Sequence, residues 1–290
     1  MRVGIVISDP TDWTAQALKV SFIRRGARTF FLNFSELAAF INEDIHFQSD
    51  DLDLSSLGCL IVRDLGRKGA HDVAFRFEAL RSLERSGIPV INPPEAIALA
   101  ANKFATTLAL QRTGVPTPRT TVTTSPKAAL KALQKYGKAV SKPLFGYKGK
   151  DIFLLTEGDE EKLIQLMEKQ GLVYLQQFIE NERPRDIRAF VVDGKVLGAI
   201  FRVAPPGQWI SNLARGGRAD PCPLTIELED LAILACNAVG AVYCGVDLLE
   251  TSEGLKVIEV NGTPSGRGIY EALGVDVTEA IADHAAKRYA

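Results

Sequence analysis

The chain is poor in the residues that most often carry enzymatic chemistry. Three histidines, His46, His71 and His284, are scattered along 290 residues, and each reads as a surface residue rather than a base or metal ligand. The four cysteines, Cys59, Cys222, Cys236 and Cys244, form no C-x-x-C and have no histidine at metal-ligand spacing. They read as reduced, mostly buried thiols. There is no G-x-S-x-G, no H-E-x-x-H and no Cys–His pairing, which sets aside the common nucleophile and zinc-protease patterns. No apolar run approaches the ~18 residues of a membrane span. The start, MRVGIVISDP, reads as a first strand and not as a signal peptide. Net charge is −1, so nothing draws the whole molecule to nucleic acid or an anionic membrane, and neither is expected as a partner. The expected location is the cytoplasm.

What is present is a change of rhythm along the chain, enough for two or three lobes. In the first hundred residues, RVGIVIS, ARTFFLN, CLIVRD and IPVINP read as strands. TDWTAQALKVSFIRRG and FRFEALRSLERSG between them read as helices, the first with Thr11 as N-cap and Gly26 as stop. Strand–helix alternation predicts a parallel, Rossmann-like α/β lobe over residues 1–94. It lacks G-x-G-x-x-G after the first strand, so NAD is not expected there. After Pro93-Pro94 the spacing is helical to Gly114. SPKAALKALQKYG, with Ser125 as cap, and DEEKLIQLMEKQG then read as helices around the two strands of KAVSKPLFGYKGKDIFLLTEG, a small α+β lobe over 95–174. From LVYLQQFI onward, strands with Asp-Gly and Glu-Gly turns predict a largely antiparallel lobe over 175–290, with helices at LEDLAILACNAVGA and DVTEAIADHAAKRYA.

Three groups of residues stand out chemically. In GVDLLETSEGLKVIEVN, read as a hairpin, Asp247 lies on one strand, with Glu259 and Asn261 two apart on the other. Alternate strand residues share a face, so three hard oxygen donors converge, a set suited to magnesium. The same hairpin is also compatible with a polar face turned to solvent. In SKPLFGYKGKDI, Lys142 ends a strand, and Gly146, Tyr147, Lys148, Gly149 and Lys150 follow in a loop. Exposed amides and lysines there suit phosphate, although an ordinary hairpin turn with solvated lysines gives the same pattern. Arginines concentrate at Arg183, Arg185, Arg188, Arg202, Arg215, Arg218 and Arg267. Arginine recognises carboxylate and phosphate bidentately; Arg183 and Arg185 equally suit a solvated loop. Chemistry without a side-chain nucleophile fits phosphoryl transfer, where positioning and charge neutralisation dominate.

Taken in order, NPPEAIALAANKFATTLALQRTGVPTPRT, SKPLFGYKGKDI, LQQFIE, RDIRAFVVDGKVLGAIFRV, WISNLARGG and GVDLLE…VIEVNGTPSGRG resemble the ATP-grasp superfamily nearly end to end. The resemblance is to its RimK-like carboxylate–amine ligases, which add an amino acid, often L-glutamate, to a carboxylate. It implies an ATP-grasp fold with an N-terminal Rossmann-like lobe, a central lobe bearing the nucleotide lid, and a C-terminal lobe for metal and substrate. It implies Lys103 and Lys142 near the nucleotide phosphates, with the Phe145–Lys150 loop closing over them. Gln177 and Phe178 would be the adenine hinge, though relatives often carry Glu where Gln177 stands. Asp186 would lie near the ribose or in the substrate cleft. Arg188 would meet the acidic substrate and Arg202 the transferring phosphate, while Asn212 and Arg215 face the acyl phosphate. Asp247, Glu259 and Asn261 would hold magnesium, or manganese in its place. Arg267 would contact the acceptor carboxylate.

The implied reaction forms an acyl phosphate from ATP and a carboxylate, then an amide with the incoming amino acid. Ile210 departs from RimK itself, which has Arg before Ser-Asn, and this points away from a ribosomal-protein tail as acceptor. TPSGRGIYEALGVDV resembles the pattern of the pterin enzymes, so a small coenzyme such as tetrahydromethanopterin is the favoured acceptor. A protein or carrier-protein C-terminus, as in the RimK and lysine-biosynthesis types, stays open. So does a non-catalytic nucleotide-binding protein on the same scaffold. The resemblance also implies a homo-oligomer.

Overall fold

The computed structural model of the chain describes residues 1–66, 69–146, 149–181 and 183–289. It opens with β1 (Arg2–Val6), α1 (Trp13–Arg24) and β2 (Arg28–Leu32), the two strands parallel. The N-cap of α1 is Asp12, not Thr11: Asp12 Oδ1 accepts from the Ala15 amide at 2.8 Å. Thr11 is engaged just before the helix, its hydroxyl donating to Asp9 Oδ1 at 2.6 Å. An antiparallel meander follows, β3 (Leu37–Ile41), β4 (Ile45–Ser49) and β5 (Leu52–Asp53). This stretch had no assignment from sequence, because only Leu37, Phe47 and Leu52 of it reach the core and charge hides the alternation. Then β6 (Cys59–Val62), α2 (Ala70–Arg85) and β7 (Val90–Ile91) complete a four-stranded parallel sheet of order β2-β1-β6-β7.

The helical stretch expected after Pro94 is two helices, α3 (Pro94–Ala101) and α4 (Lys103–Arg112). Asn102 ends one and caps the other, its Oδ1 accepting from the Phe104 and Ala105 amides at 3.1 and 3.2 Å. Such a cap contributes about 1 kcal/mol. It also makes Lys103 the first residue of α4.

The central lobe comprises β8 (Thr120–Thr123), α5 (Pro126–Tyr136), β9 (Lys138–Lys142), β10 (Phe153–Thr156), α6 (Glu160–Gln170) and β11 (Val173–Gln177). Its antiparallel sheet runs β10-β9-β11-β8. Ser125 caps α5 as expected. Ala129, Leu133, Leu163 and Met167 from the helices pack on Ala139, Leu155, Val173 and Leu175 of one sheet face. Strand alternation puts Lys142, Tyr174 and Gln176 on the other face. Because β11 belongs to this sheet, the boundary expected at 174/175 falls inside a strand.

The remainder holds β12 (Arg185–Val192), β13 (Lys195–Val203), β14 (Arg218–Cys222), α7 (Ile226–Ala238), β15 (Tyr243–Thr251), β16 (Gly254–Asn261), α8 (Arg267–Leu273) and α9 (Val277–Tyr289). The sheet is antiparallel throughout, in order β14-β13-β12-β15-β16. Leu228, Ala232 and Ala235 of α7 bury one face, against Ile187, Ala189, Val246, Leu248 and Val257. At one end of the opposite face, Phe190 and Val192 join Val3, Ile5, Leu18, Phe22 and Ile281 in a core shared with the first lobe. At the other end that face is polar. Two elements escaped the sequence reading, β14 and α8, the latter opening at Arg267 between two glycines.

Candidate functional site

The polar end of the face is organised by register. Arg188 on β12 lies opposite Asp247 on β15, which lies opposite Glu259 on β16. Two residues along β12, Asp186 lies opposite Arg202 on β13, and Asn261 lies opposite Gly245. Arg202 and Arg188 thus each lie beside an acid, while the two acids Asp247 and Glu259 are neighbours across β15 and β16. Arg188 clasps Asp247 with Nε and with Nη2, the latter at 2.8 Å. Arg202 donates to Asp186 Oδ1 and Oδ2 at 2.7 and 2.5 Å, and to Asp247 Oδ2 at 2.7 Å. Gly245 makes room for this: a Cβ there would sit 2.9 Å from Arg188 Cδ.

The electrostatics follow from burial and pairing. Burial pushes the Asp247 carboxyl up, but Arg188 and Arg202 outweigh it and hold its pKa down at about 2. Burial would likewise lower Arg202, yet Asp186 and Asp247 raise its pKa above the ordinary guanidinium value. Glu259 also ends below its ordinary pKa: burial and Asp247 raise it, while Lys103 and Lys142 prevail.

The lysines arrive from the facing side of the cleft. Lys103 Nζ lies 2.9 Å from Glu259 Oε1, and its amide donates to Leu144 O at 3.1 Å. Lys142 Nζ donates to Gln176 Oε1 at 2.7 Å. Burial drives the Lys142 pKa down to about 8; Lys103 adds to that, against the pull of Glu259, Asp247 and Asp186. Gly146 and Gly149, after β9, approach different parts of the site. A Cβ on Gly146 would lie 3.5 Å from Lys103 Nζ. At the far side, Gly149 O accepts from Arg215 Nη1 at 3.1 Å, and a Cβ on Gly149 would meet Asn212 Oδ1 at 2.9 Å. Tyr147 and Lys148 lie outside the described residues.

The structure thus brings together Lys103, Lys142, Asp186, Arg188, Arg202, Asp247, Glu259 and Asn261, with Gly146, Gly149, Asn212 and Arg215 at the rim. Three expectations take a different form. Asp186 is buried, with both oxygens on Arg202. The N–H groups of Gln177 and Phe178 are already donated to Arg119 O and Lys138 O, at 2.8 and 3.0 Å, so a purine there needs other groups. Arg267 is exposed and bonds to Ser265 and Glu271 rather than to the cluster.

Some functional neighbours escaped the sequence reading. Gln176 is the acceptor for Lys142; its signal was the alternation in VYLQQ that places it beside Tyr174. Asn92 and Arg63 tie the first lobe to the loop after Asn261, and nothing local in the sequence marks them.

Glu259 and Asn261 offer hard oxygens that fit a divalent cation such as magnesium; Asp247, with both oxygens on Arg188 and Arg202, would join them by giving up part of that pairing. The Glu259 side chain is 35% exposed toward the cleft, so an ion can reach it. Among the described residues no group of three or more His, Cys, Asp and Glu side chains converges on a metal position, which leaves the oxygen set dependent on Asn261. No helix among them is long and apolar enough to cross a membrane.

Lys142 of the central sheet and Lys103 of α4 thus face the paired acids and arginines of the C-terminal sheet. A solved structure of the ATP-grasp ligase PsnB, complexed with a precursor variant, Mg and ADP, superposes with a TM-score of 0.78 at 21% identity, covering 99% of this chain and 98% of that one. The chain belongs to the RimK-like ATP-grasp family, whose domain model matches residues 100–285, and is an ATP-dependent ligase. A tetrahydromethanopterin:alpha-L-glutamate ligase of Methanosarcina acetivorans is 42% identical over 98% of each chain. A protein of the same description from Methanococcus maripaludis is 36% identical over the whole of both.

Proposed function

We propose that this ligase joins L-glutamate to the carboxylate of a small coenzyme of the tetrahydromethanopterin type, with ATP as the energy source. The observation that carries this reading is the end-to-end likeness, at 42% identity, to a ligase described by that reaction. The site's chemistry agrees with it. An acceptor carboxylate oxygen forms a bond to the γ-phosphorus as the β–γ bridge breaks, giving ADP and an acyl phosphate. The glutamate nitrogen then bonds to the acyl carbon, the carbon–oxygen bond to phosphate breaks, and the nitrogen's proton leaves with phosphate.

In this reading, Lys103 and Lys142 bind the polyphosphate. Asp247, Glu259 and Asn261 hold a magnesium ion, which when bound neutralises phosphate charge. Arg202 and Arg188 stand behind Asp247 and keep it ionised. The Gly146–Gly149 loop shields the acyl phosphate from water by resting on Asn212 and Arg215. Charge neutralisation takes the place of a side-chain nucleophile in this reading.

The test supplies ATP, magnesium and L-glutamate together with tetrahydromethanopterin or, separately, a peptide ending in glutamate. Product mass and ADP release are followed. The reading expects ADP release that depends on the pterin, with a mass gain of one glutamyl group. ADP release with the peptide alone would move the acceptor to a protein terminus.

A further inference from the structure

The loop that leaves Asn261 is gripped by the first lobe. The β15–β16 ladder ends at the Gly245–Asn261 pair. Beyond it the strands would have unpaired backbone groups, and the side chain of Asn92, fully buried just past β7, supplies the partners. Asn92 Nδ2 donates to Tyr243 O at 2.7 Å and to Gly262 O at 2.6 Å. Its Oδ1 accepts from the Val242 and Tyr243 amides at 2.7 and 3.0 Å. One amide thus bridges the start of β15 and the residue after Asn261, replacing a rung of the ladder. Arg63, buried just past β6, donates from Nη1 to Pro264 O at 2.7 Å. Thr14 Oγ1 accepts from the Gly266 amide at 3.1 Å.

A buried backbone donor or acceptor left without a partner is destabilising, so these bonds fix the loop. They also hold the end of β16, where Asn261 stands, to the start of β15. We infer that Asn92, with Arg63 behind it, is a positioning residue of the first lobe that sets Asn261 against Glu259 and Asp247 for the metal. This rests on the magnesium reading above. The first lobe then holds the end of β16 in register from outside the sheet.

The test measures Mn2+ binding in the presence of ADP, by the electron paramagnetic resonance of free Mn2+, on the full chain. Residues that hold a metal ligand in place typically carry tenfold effects or more, so Asn92→Ser is expected to raise the half-saturating Mn2+ concentration about tenfold. ADP affinity without metal stays unchanged. Asn261→Ala weakens Mn2+ binding by itself, and the double variant is no weaker than Asn261→Ala alone, because Asn92 acts through Asn261. A merely structural role would instead give independent, multiplying effects, and that result overturns the inference. Normal Mn2+ affinity in Asn92→Ser beside weakened Asn261→Ala overturns it alone; an unaffected Asn261→Ala overturns the metal reading and this inference with it. Should Asn92→Ser not fold, Arg63→Met carries the test, with weakened Mn2+ binding expected and wild-type affinity overturning it.

Discussion

Lys103 and Glu259 meet at 2.9 Å across the cleft, an ammonium at the start of α4 against a carboxylate on β16. The pair joins a proposed phosphate group to a proposed metal ligand before either ligand arrives. Removing the carboxylate therefore removes a metal donor and leaves a buried ammonium unpaired. Glu259→Ala is expected to lower ligation by at least about a hundredfold, the scale of losing one transition-state electrostatic contact. Its circular dichroism should match that of the wild type. Wild-type rates of ADP release in that variant would dismiss Glu259 from the site.

Lys142 gives the site a pH dependence. Its folded pKa, about 8, lies below the ordinary lysine value of 10.5. Between those values the unfolded chain carries one more proton than the native one, so this residue's contribution to stability rises with pH across that window. Below pH 8 the buried charge is present and unfavourable. Lys142→Met is therefore expected to be more stable than wild type at pH 7 in urea unfolding, despite losing the bond to Gln176. Polyphosphate needs the charged form. ADP affinity should fall about tenfold per pH unit above 8, with proton uptake on binding seen in calorimetry. In Lys142→Met the slope should vanish, and a persistent slope assigns it to another group.

Asp186, Arg202 and Asp247 form a buried triad in which one cation serves two anions. Removing one member of a buried pair typically costs about 3–5 kcal/mol. Arg202→Met is expected to lose stability on that scale in urea at pH 7. Arg202→Lys should lose less, keeping the charge but not the fork that reaches both carboxylates. The Asp247 pKa of about 2, against an ordinary 3.8, makes its stabilisation complete above 3.8 and lost as pH falls toward 2. In Arg202→Met that acid loss should begin at higher pH. An unchanged acid midpoint would mean that Arg188 alone sustains Asp247.

The parts of this site that lie on one hairpin were legible in the sequence, and the parts that cross the molecule were not. Asp247, Glu259 and Asn261 could be placed on one face because strand periodicity and an apolar surround suffice for that. The partner of Glu259 is Lys103, 156 positions away. Asn92 reads as a residue before two prolines. Its meaning comes from backbone groups 150 to 170 positions off, which no local pattern encodes. Asn102 carried a cap signal that the unbroken apolar spacing overrode. The α8 helix was masked by Gly266 and Gly268, which suit a turn in sequence. In the fold, Gly268 allows close packing, since a Cβ there would lie 2.7 Å from Leu213 Cδ1.

Gly149 offers a test of the lid that separates coupling from stability. Its φ of +69° is strained for a residue with a Cβ, and that atom would lie 2.9 Å from Asn212 Oδ1. Gly149→Ala should therefore lift the loop from Asn212 and Arg215, which otherwise accept its close approach. Water then competes with the glutamate amine for the acyl phosphate. The expected result is a higher ratio of phosphate released to amide formed. Gly171 is the control: its φ is +75°, in the left-handed region at the end of α6, and a Cβ there would have nothing within 4 Å. Gly171→Ala meets left-handed backbone strain, worth about 1 kcal/mol, apart from Asn212 and Arg215. It should lower the melting temperature and leave the ratio of phosphate to amide as it was. If both variants uncouple the reaction equally, general loosening is responsible and the loop's contact with Asn212 and Arg215 is not the seal.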